Sequence, residues 1–355
     1  MLAGMSVSLG FPAVRSAGVT VPRPSVSALT DQFGRVATDL RVSLTDRCNL
    51  RCTYCMPEVG LEWLPQGALL TGDELVRLVS IAVTQLGVEQ VRFTGGEPLL
   101  RRDLVDIVAG CAALVPRPEI AMTTNGIGLA SRAVALAQAG LDRLNVSLDT
   151  LDAQTFAAIA HRDLLHRTME GVAAATAVGI GPIKINAVLL RGVNDTQASQ
   201  LLAWALENGH ELRFIEQMPL DAQHGWDRST MVTAERIREL LSQQFLLTPD
   251  DRPRNGAPAQ RWLVDGGPAT VGIIGSVTEP FCSDCRRTRL TADGQVRNCL
   301  FAHSETDLRT PMRAGASDEE LAQLWRNEMW VKAAGHGMGA PDFRQPDRPM
   351  SAIGG

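Results

Sequence analysis

Cys48, Cys52 and Cys55 are spaced C-x3-C-x2-C directly after an apolar, strand-like run. A closed zinc site or a fully ligated iron–sulfur cluster takes four protein ligands. Three thiolates leave one metal position for a ligand that is not protein, and an open position is where chemistry occurs. Cys282, Cys285 and Cys299 form a second set, spaced C-x2-C-x13-C, that is one thiolate short in the same way. On spacing alone, a zinc site with a distant fourth ligand fits the first set, and a zinc knuckle completed by His303 fits the second. The seventh cysteine, Cys111, lies in a helical pattern and reads as a buried free thiol.

Other segments carry chemistry of a complementary kind. Thr94-Gly-Gly-Glu-Pro98 follows a strand-like run. Its glycines allow close backbone approach to a ligand, and the Glu97 carboxylate can accept from an ammonium group. Arg287 and Arg289 alternate in a strand-like run beside the second set, so both can face one side. Paired guanidiniums suit phosphate or carboxylate, although a charged, solvated edge strand has the same pattern. The chain ends Gly354-Gly355, which permits close backbone approach but also suits a frayed terminus.

The elements that must position these residues alternate. Strand-like runs occur at Asp39–Leu44, Gln90–Phe93, Glu119–Met122, Arg143–Leu148, Ile183–Leu189 and Leu212–Glu216. Helical patterns lie between and after them: one capped by Thr71-Gly-Asp-Glu74 and running to Leu86, then Arg101–Leu114, Leu129–Ala139, Asp152–Ala177, Asp195–Glu207 and Thr233–Gln244. Such alternation implies parallel strands with right-handed crossovers. Six units predict an α/β fold: an incomplete (βα)6 barrel related to the eight-fold TIM barrel. Function in that architecture gathers beyond the carboxyl ends of the strands. The Cys48 loop, 94–98, Thr123-Thr-Asn125, Ser147-Leu-Asp149, the strand bearing Lys184, and Glu216-Gln-Met218 all meet that condition. Pro249–Pro258 reads as a linker or long turn. The expected organisation is a disordered tail over 1–30, the partial barrel over 31–248, a smaller C-terminal domain with the second cysteine set over 249–340, and a tail over 341–355.

The chain has 355 residues, 45% apolar and 21% charged, with a net charge of −5. These values fit a globular protein and argue against a nucleic-acid partner. No apolar run approaches a membrane span. The first 30 residues lack the pattern of a secretory signal. Clustered cysteines in odd number fit metal ligation in a reducing cytoplasm better than a disulfide framework.

With Thr94-Gly-Gly-Glu-Pro98 beside it, the first triad resembles the radical S-adenosylmethionine (SAM) superfamily. The wider set of features resembles the GTP 3′,8-cyclase (molybdenum cofactor biosynthesis protein A) family over residues 31 to 355. That set is the first triad with Met56-Pro57, Arg101-Arg102, Arg213-Phe-Ile-Glu216 with Met218, the second triad with Arg287 and Arg289, and the Gly-Gly end. The resemblance implies two 4Fe–4S clusters, one on Cys48, Cys52 and Cys55, the other on Cys282, Cys285 and Cys299. It implies SAM contacts from Tyr54, Gly96, Glu97, Ser147 and Met218. GTP contacts would come from Arg41, Arg92, Thr123, Lys184, Arg213, Arg287 and Arg289. Arg287, Arg289, Gly354 and Gly355 would support the radical step. The implied reaction converts GTP to 3′,8-cyclo-7,8-dihydro-GTP, the first step towards molybdopterin. An electron donor such as flavodoxin or ferredoxin would supply the reductant, and a cyclic pyranopterin monophosphate synthase would take the product; a homodimer is compatible. One departure stands out: many family members carry a second basic residue two positions before Arg92, where this chain has Gln90. A radical SAM peptide or RNA modifier is the competing enzyme reading, and a zinc scaffold or redox carrier the non-enzyme one.

Overall fold

The computed structural model describes residues 23–354. Residues 1–22 of the expected tail, and Gly355, lie outside the described residues. Six parallel strands come first: β1 (Asp39–Ser43), β2 (Gln90–Thr94), β3 (Glu119–Thr124), β4 (Arg143–Ser147), β5 (Ile183–Val188) and β6 (Glu211–Ile215). Helices α1 (Gly72–Thr84), α2 (Leu104–Ala112), α3 (Ala133–Ala139), α4 (Ala153–Ala160), α5 (Leu165–Ala177), α6 (Ala198–Glu207) and α7 (Ala234–Leu241) cross between or follow them. Thr71 and Glu74 form the expected capping box of α1.

Beyond α7 lie β7 (Leu247–Pro249), β8 (Gln260–Val264), β9 (Thr270–Ile274), β10 (Arg287–Leu290), β11 (Gln295–Arg297) and β12 (Thr306–Asp307), then α8 (Arg309–Arg313), α9 (Asp318–Trp330) and α10 (Met350–Ile353). These strands continue the same sheet, whose order is β12-β11-β10-β1-β2-β3-β4-β5-β6-β9-β8-β7. β10 pairs parallel with β1, and β9 pairs parallel with β6. Eight parallel strands therefore lie side by side, two more than the sequence pattern gives. Sequence order hides the addition, because β9 and β10 are consecutive strands at opposite ends of the parallel run. The Pro-rich stretch after β7 is the loop of the antiparallel β7–β8 hairpin.

Strand alternation sorts side chains between two environments. Leu40 and Val42 of β1, and Val91 and Phe93 of β2, are fully buried and pack with helix residues such as Leu75, Leu78 and Leu104. The opposite face carries Asp39, Arg41 and Ser43 on β1 and Gln90, Arg92 and Thr94 on β2. In register these pair as Asp39 with Gln90, Arg41 with Arg92 and Ser43 with Thr94. The barrel interior is thus polar and layered.

The helical pattern expected over Asp152–Ala177 is divided into α4 and α5 at His161, whose φ is 52°. The break has a structural use. The carbonyls of Ile159 and Ala160 at the end of α4 accept from the backbone N–H groups of Thr53 and Arg51, at 3.0 and 2.9 Å. A continuous helix would have kept those carbonyls for itself.

Candidate active site

All six strand-end segments line one cavity with both cysteine sets. Ile274 and Ser276 at the end of β9, and Arg287 and Arg289 on β10, line it too, so the sheet curls until its added strands face the same space.

The first triad sits in the loop after β1. Cys55 and Met56 turn back on the Cys52 carbonyl at 2.8 and 3.1 Å, and the end of α4 holds the other side of the loop. Asn125 donates to Asn49 at 2.7 Å, and its amide nitrogen lies 4.0 Å from Cys48 Sγ. Burial pushes the Cys48 thiol up to about 11 and the Cys55 thiol to about 12. Stable thiolates in this loop therefore call for a bound cation.

Gly95 and Gly96 are required here by the cysteine loop itself. A Cβ on Gly96 would overlap the Arg47 carbonyl, and one on Gly95, at φ 146°, would overlap that of Thr45. The same approach lets Gly96 donate to Thr45 and Glu97 to Arg47, both at 2.7 Å. Glu97 is 1% exposed. Its carboxylate accepts from Thr124 Oγ1 at 2.7 Å, the Asn125 amide at 2.7 Å and the Leu99 amide at 2.9 Å. Burial raises its pKa to about 7 despite these donors. Tyr54, Gly96, Ser147 and Met218 all line the cavity. The Tyr54 hydroxyl donates to Asp149 at 2.8 Å, and Asp149 also accepts from the Val188 amide at 2.8 Å.

The second triad enters from the far wall. Arg35 fixes its loop by donating to the carbonyls of Cys282, Ala334 and Ala333 at 2.7, 2.9 and 2.6 Å. Burial raises the Cys282 thiol; burial acts the same way on Cys285, but Lys332 and Arg287 outweigh it and lower that thiol. All six ligand candidates are free thiols. Among the described residues no three His, Cys, Asp or Glu side chains converge on a single-ion site. His303, the fourth ligand of the zinc alternative, lines a second recess with Phe343 and Arg344 and is not among the residues that line the cavity with the three cysteines.

Arg41, Thr123, Arg287 and Arg289 line the cavity. Arg92, Lys184 and Arg213 do not; each lies two residues before a lining residue (Thr94, Asn186 and Ile215), one layer deeper in the barrel. Lys184 pairs with Glu211 at 2.9 Å, and Arg213 approaches the same carboxylate at 3.8 Å. Arg41 pairs with Asp39 at 3.0 Å. Burial opposes ionisation of Asp39, yet Arg41, Arg92 and Arg287 hold it well below the usual carboxylate range. Burial, and repulsion from Arg41, lower Arg92, Arg287 and Arg289, with Arg289 brought to about 9. Cations outnumber carboxylates in this layer, and an anion would relieve the imbalance. Arg92 Nε, Arg287 Nη2 and Asn186 Oδ1 are buried without a hydrogen-bond partner. Buried orphans of this kind suit a polar ligand.

The C-terminal tail passes into this space. Arg289 donates to the Gly354 carbonyl, and a Cβ on Gly354 would lie 2.6 Å from Thr94 Cγ2. Sequence reasoning did not single out Arg35, which is remote in sequence from the loop it holds, or Arg143, which pairs with Glu119 in the same cationic layer. The basic residue alternating with Asn145 on a barrel strand was a usable signal for Arg143.

Residues 42–205 match the Radical SAM superfamily, and residues 210–338 match Molybdenum Cofactor Synthesis C. The second match begins at β6, ahead of the Pro-rich loop. The chain is 63% identical to a GTP 3′,8-cyclase of Streptomyces coelicolor, over 94% of this chain and 98% of that protein. It is 56% identical to the GTP 3′,8-cyclase of Paenarthrobacter nicotinovorans, over 97% and 100% of the two chains. Among solved structures, Streptococcus suis SuiB bound to S-adenosylmethionine is similar in fold, with a TM-score of 0.61 at 16% identity, covering 87% of this chain and 69% of that one.

Proposed function

Because the chain belongs to the GTP 3′,8-cyclase family of radical SAM enzymes, we propose that the cavity lined by both triads carries two 4Fe–4S clusters, with SAM on one side and GTP on the other. The activity is conversion of GTP to 3′,8-cyclo-7,8-dihydro-GTP, the first step of molybdenum cofactor synthesis. The observation that carries the site reading is that two incomplete cysteine triads line one cavity, with a cationic layer beneath it.

Cys48, Cys52 and Cys55 would hold the first cluster, and Cys282, Cys285 and Cys299 the second. When bound, the first cluster would supply the electron for reductive cleavage of SAM to a 5′-deoxyadenosyl radical. The chain's own residues position the reactants. Gly96, Ser147, Tyr54 and Met218 line the part of the cavity assigned to SAM. Glu97 acts on that part by locking the Asn125 segment against the cysteine loop.

Arg41, which lines the cavity, and Arg92, Lys184 and Arg213, which lie deeper, would take the triphosphate, where their charges need an anion. That leaves guanine at the second triad, with Arg287, Arg289 and Thr123 about the nucleoside. The ribose then lies between the two triads, with its 3′ carbon towards the SAM side. The burial of this region shields a radical that would attack any other C–H bond. Transfer of the C3′ hydrogen atom to the SAM-derived radical, giving 5′-deoxyadenosine, bond formation from C3′ to C8, and gain of one electron and one proton would complete the product.

The reductant would be a small electron-transfer protein such as flavodoxin or ferredoxin, and the product would pass to cyclic pyranopterin monophosphate synthase. Among the described residues no helix is long and apolar enough to cross a membrane. A cytoplasmic setting agrees with oxygen-sensitive clusters, and a homodimer is compatible with the fold. The test is anaerobic turnover of the reconstituted chain with GTP, SAM and dithionite, followed by mass spectrometry. Formation of the cyclised nucleotide is expected; 5′-deoxyadenosine without it overturns the substrate reading.

A further inference from the structure

Of the 34 Lys and Arg residues in the chain, only two are lysines, Lys184 and Lys332. Arginine serves at every other basic position. Lys184 is in the cationic layer of the barrel. Lys332 follows α9, is 4% exposed, and reaches the second triad.

Its ammonium group has three protons and three acceptors. Nζ lies 2.8 Å from the Arg287 carbonyl, 3.5 Å from the Cys285 carbonyl and 3.4 Å from Cys285 Sγ. No Asp or Glu pairs with it among the described residues, so the only group in reach that can carry negative charge is the cysteine sulfur. Burying an ammonium without a counter-charge is costly. The position is also fixed: Arg35 binds the carbonyls of Ala333 and Ala334, the two residues after Lys332, and the Cys282 carbonyl with one guanidinium. A compact ammonium can place one proton on a sulfur and others on adjacent carbonyls. The planar fork of arginine is longer and spreads its donors in one plane, so it fits this compact set of acceptors less well.

The first triad has a different surrounding. No Lys or Arg nitrogen is within hydrogen-bond reach of its sulfurs among the described residues: the Arg51 guanidinium donates to the Cys48 carbonyl at 2.7 Å rather than to sulfur, and Cys48 Sγ faces the neutral Asn125 amide at 4.0 Å. Hydrogen bonds to ligand sulfur and local net charge are two of the terms that set an iron–sulfur potential.

We propose that Lys332 is the cationic partner of the second cluster, donating to the Cys285 sulfur, favouring the reduced cluster and setting its potential above that of the first. The inference rests on the reading that Cys282, Cys285 and Cys299 hold a cluster.

The experiment uses the full chain with Cys48, Cys52 and Cys55 all changed to Ala, reconstituted anaerobically and reduced, so that only the second cluster contributes. Because the chain has two lysines, growth on lysine enriched in 15N at the ε position labels only two nitrogens. Pulsed electron–nuclear double resonance should detect a 15N coupling to this cluster, and Lys332→Gln should abolish it while Lys184→Gln leaves it intact. Redox titration should find a lower midpoint for Lys332→Gln and an unchanged first-cluster midpoint in the chain with both triads. No 15N coupling, or a second-cluster midpoint unaffected by Lys332→Gln, overturns the proposal. Should Lys332→Gln fail to hold the cluster, the coupling in the Lys332 protein decides alone. Absence of iron from the triple-Ala chain would instead defeat the cluster reading beneath it.

Discussion

Arg289 donates to the carbonyl oxygen of Gly354, which ties the C-terminal tail to the strand that adjoins β1. The contact brings the tail against Thr94 and Gly95, where the glycine segment meets the cysteine loop. Residues from three distant parts of the chain thus share one wall of the cavity.

Gly354 has φ 84°, and a Cβ there would meet Thr94 Cγ2 at 2.6 Å. Gly354→Ala should therefore displace the tail from Arg289. Turnover should fall by at least about tenfold, with a loss of stability on the order of 1 kcal/mol, the usual size for a single substitution, at this buried position. Product formation and thermal unfolding measured on the same sample check this; full turnover would contradict it.

Glu97 gives a pH signature. Its pKa rises from 4.5 to about 7 because of burial. The folded chain therefore binds this proton more tightly than the unfolded chain. The resulting stability is complete below about 4.5 and is lost as pH rises through about 7. The span corresponds to something on the order of 3 kcal/mol. Unfolding of the chain without clusters, followed from pH 4.5 to 8, should show a shallower decline for Glu97→Gln than for the unchanged chain. Parallel curves would rule out Glu97 as the titrating group.

Lys184 and Arg213 share Glu211. Either residue changed to Ala should weaken GTP binding by roughly 10- to 100-fold, the loss expected for one charge-assisted hydrogen bond. SAM affinity should hold within about twofold, because neither residue lines the cavity beside the first triad. Anaerobic calorimetry with each ligand separates the two effects, and equal losses for both would indicate general unfolding.

Gln90 lies in register between Asp39 of β1 and Glu119 of β3. A lysine there would have two carboxylate neighbours and would place a cation in the row below Arg92, on the same face of β2. Gln90→Lys should tighten GTP binding several-fold, by about 1 kcal/mol. Unaltered affinity would mean that the phosphates do not reach this layer.

The six parallel strands and their helices were legible in the sequence because apolar alternation and capping signals are local. Thr71 and Glu74 are one instance. The polar strand ends were legible for the same reason, since each follows its own strand. What stayed hidden depends on distant pairing. β9 and β10 join opposite edges of the parallel run, and no local pattern encodes that. The division of α4 from α5 was hidden as well, because its cause is the need of the cysteine loop for two carbonyls. Gly95 and Gly96 were recognised as sites of close approach, but the partner they approach is the protein's own backbone at 45–47. The placement of the cations was hidden too: Arg92, Lys184 and Arg213 each lie two residues before a cavity-lining residue, and Arg92 stands in register with Arg41, which lines the cavity as Arg289 does.

The central claim is that two incomplete triads hold two clusters facing one cavity. Iron counting with Mössbauer spectroscopy tests it most directly. The reconstituted chain should hold about eight iron atoms in two 4Fe–4S clusters, and about four after either triad is changed to alanine. About four in the unchanged chain, or stoichiometric zinc in place of the second cluster, would contradict it.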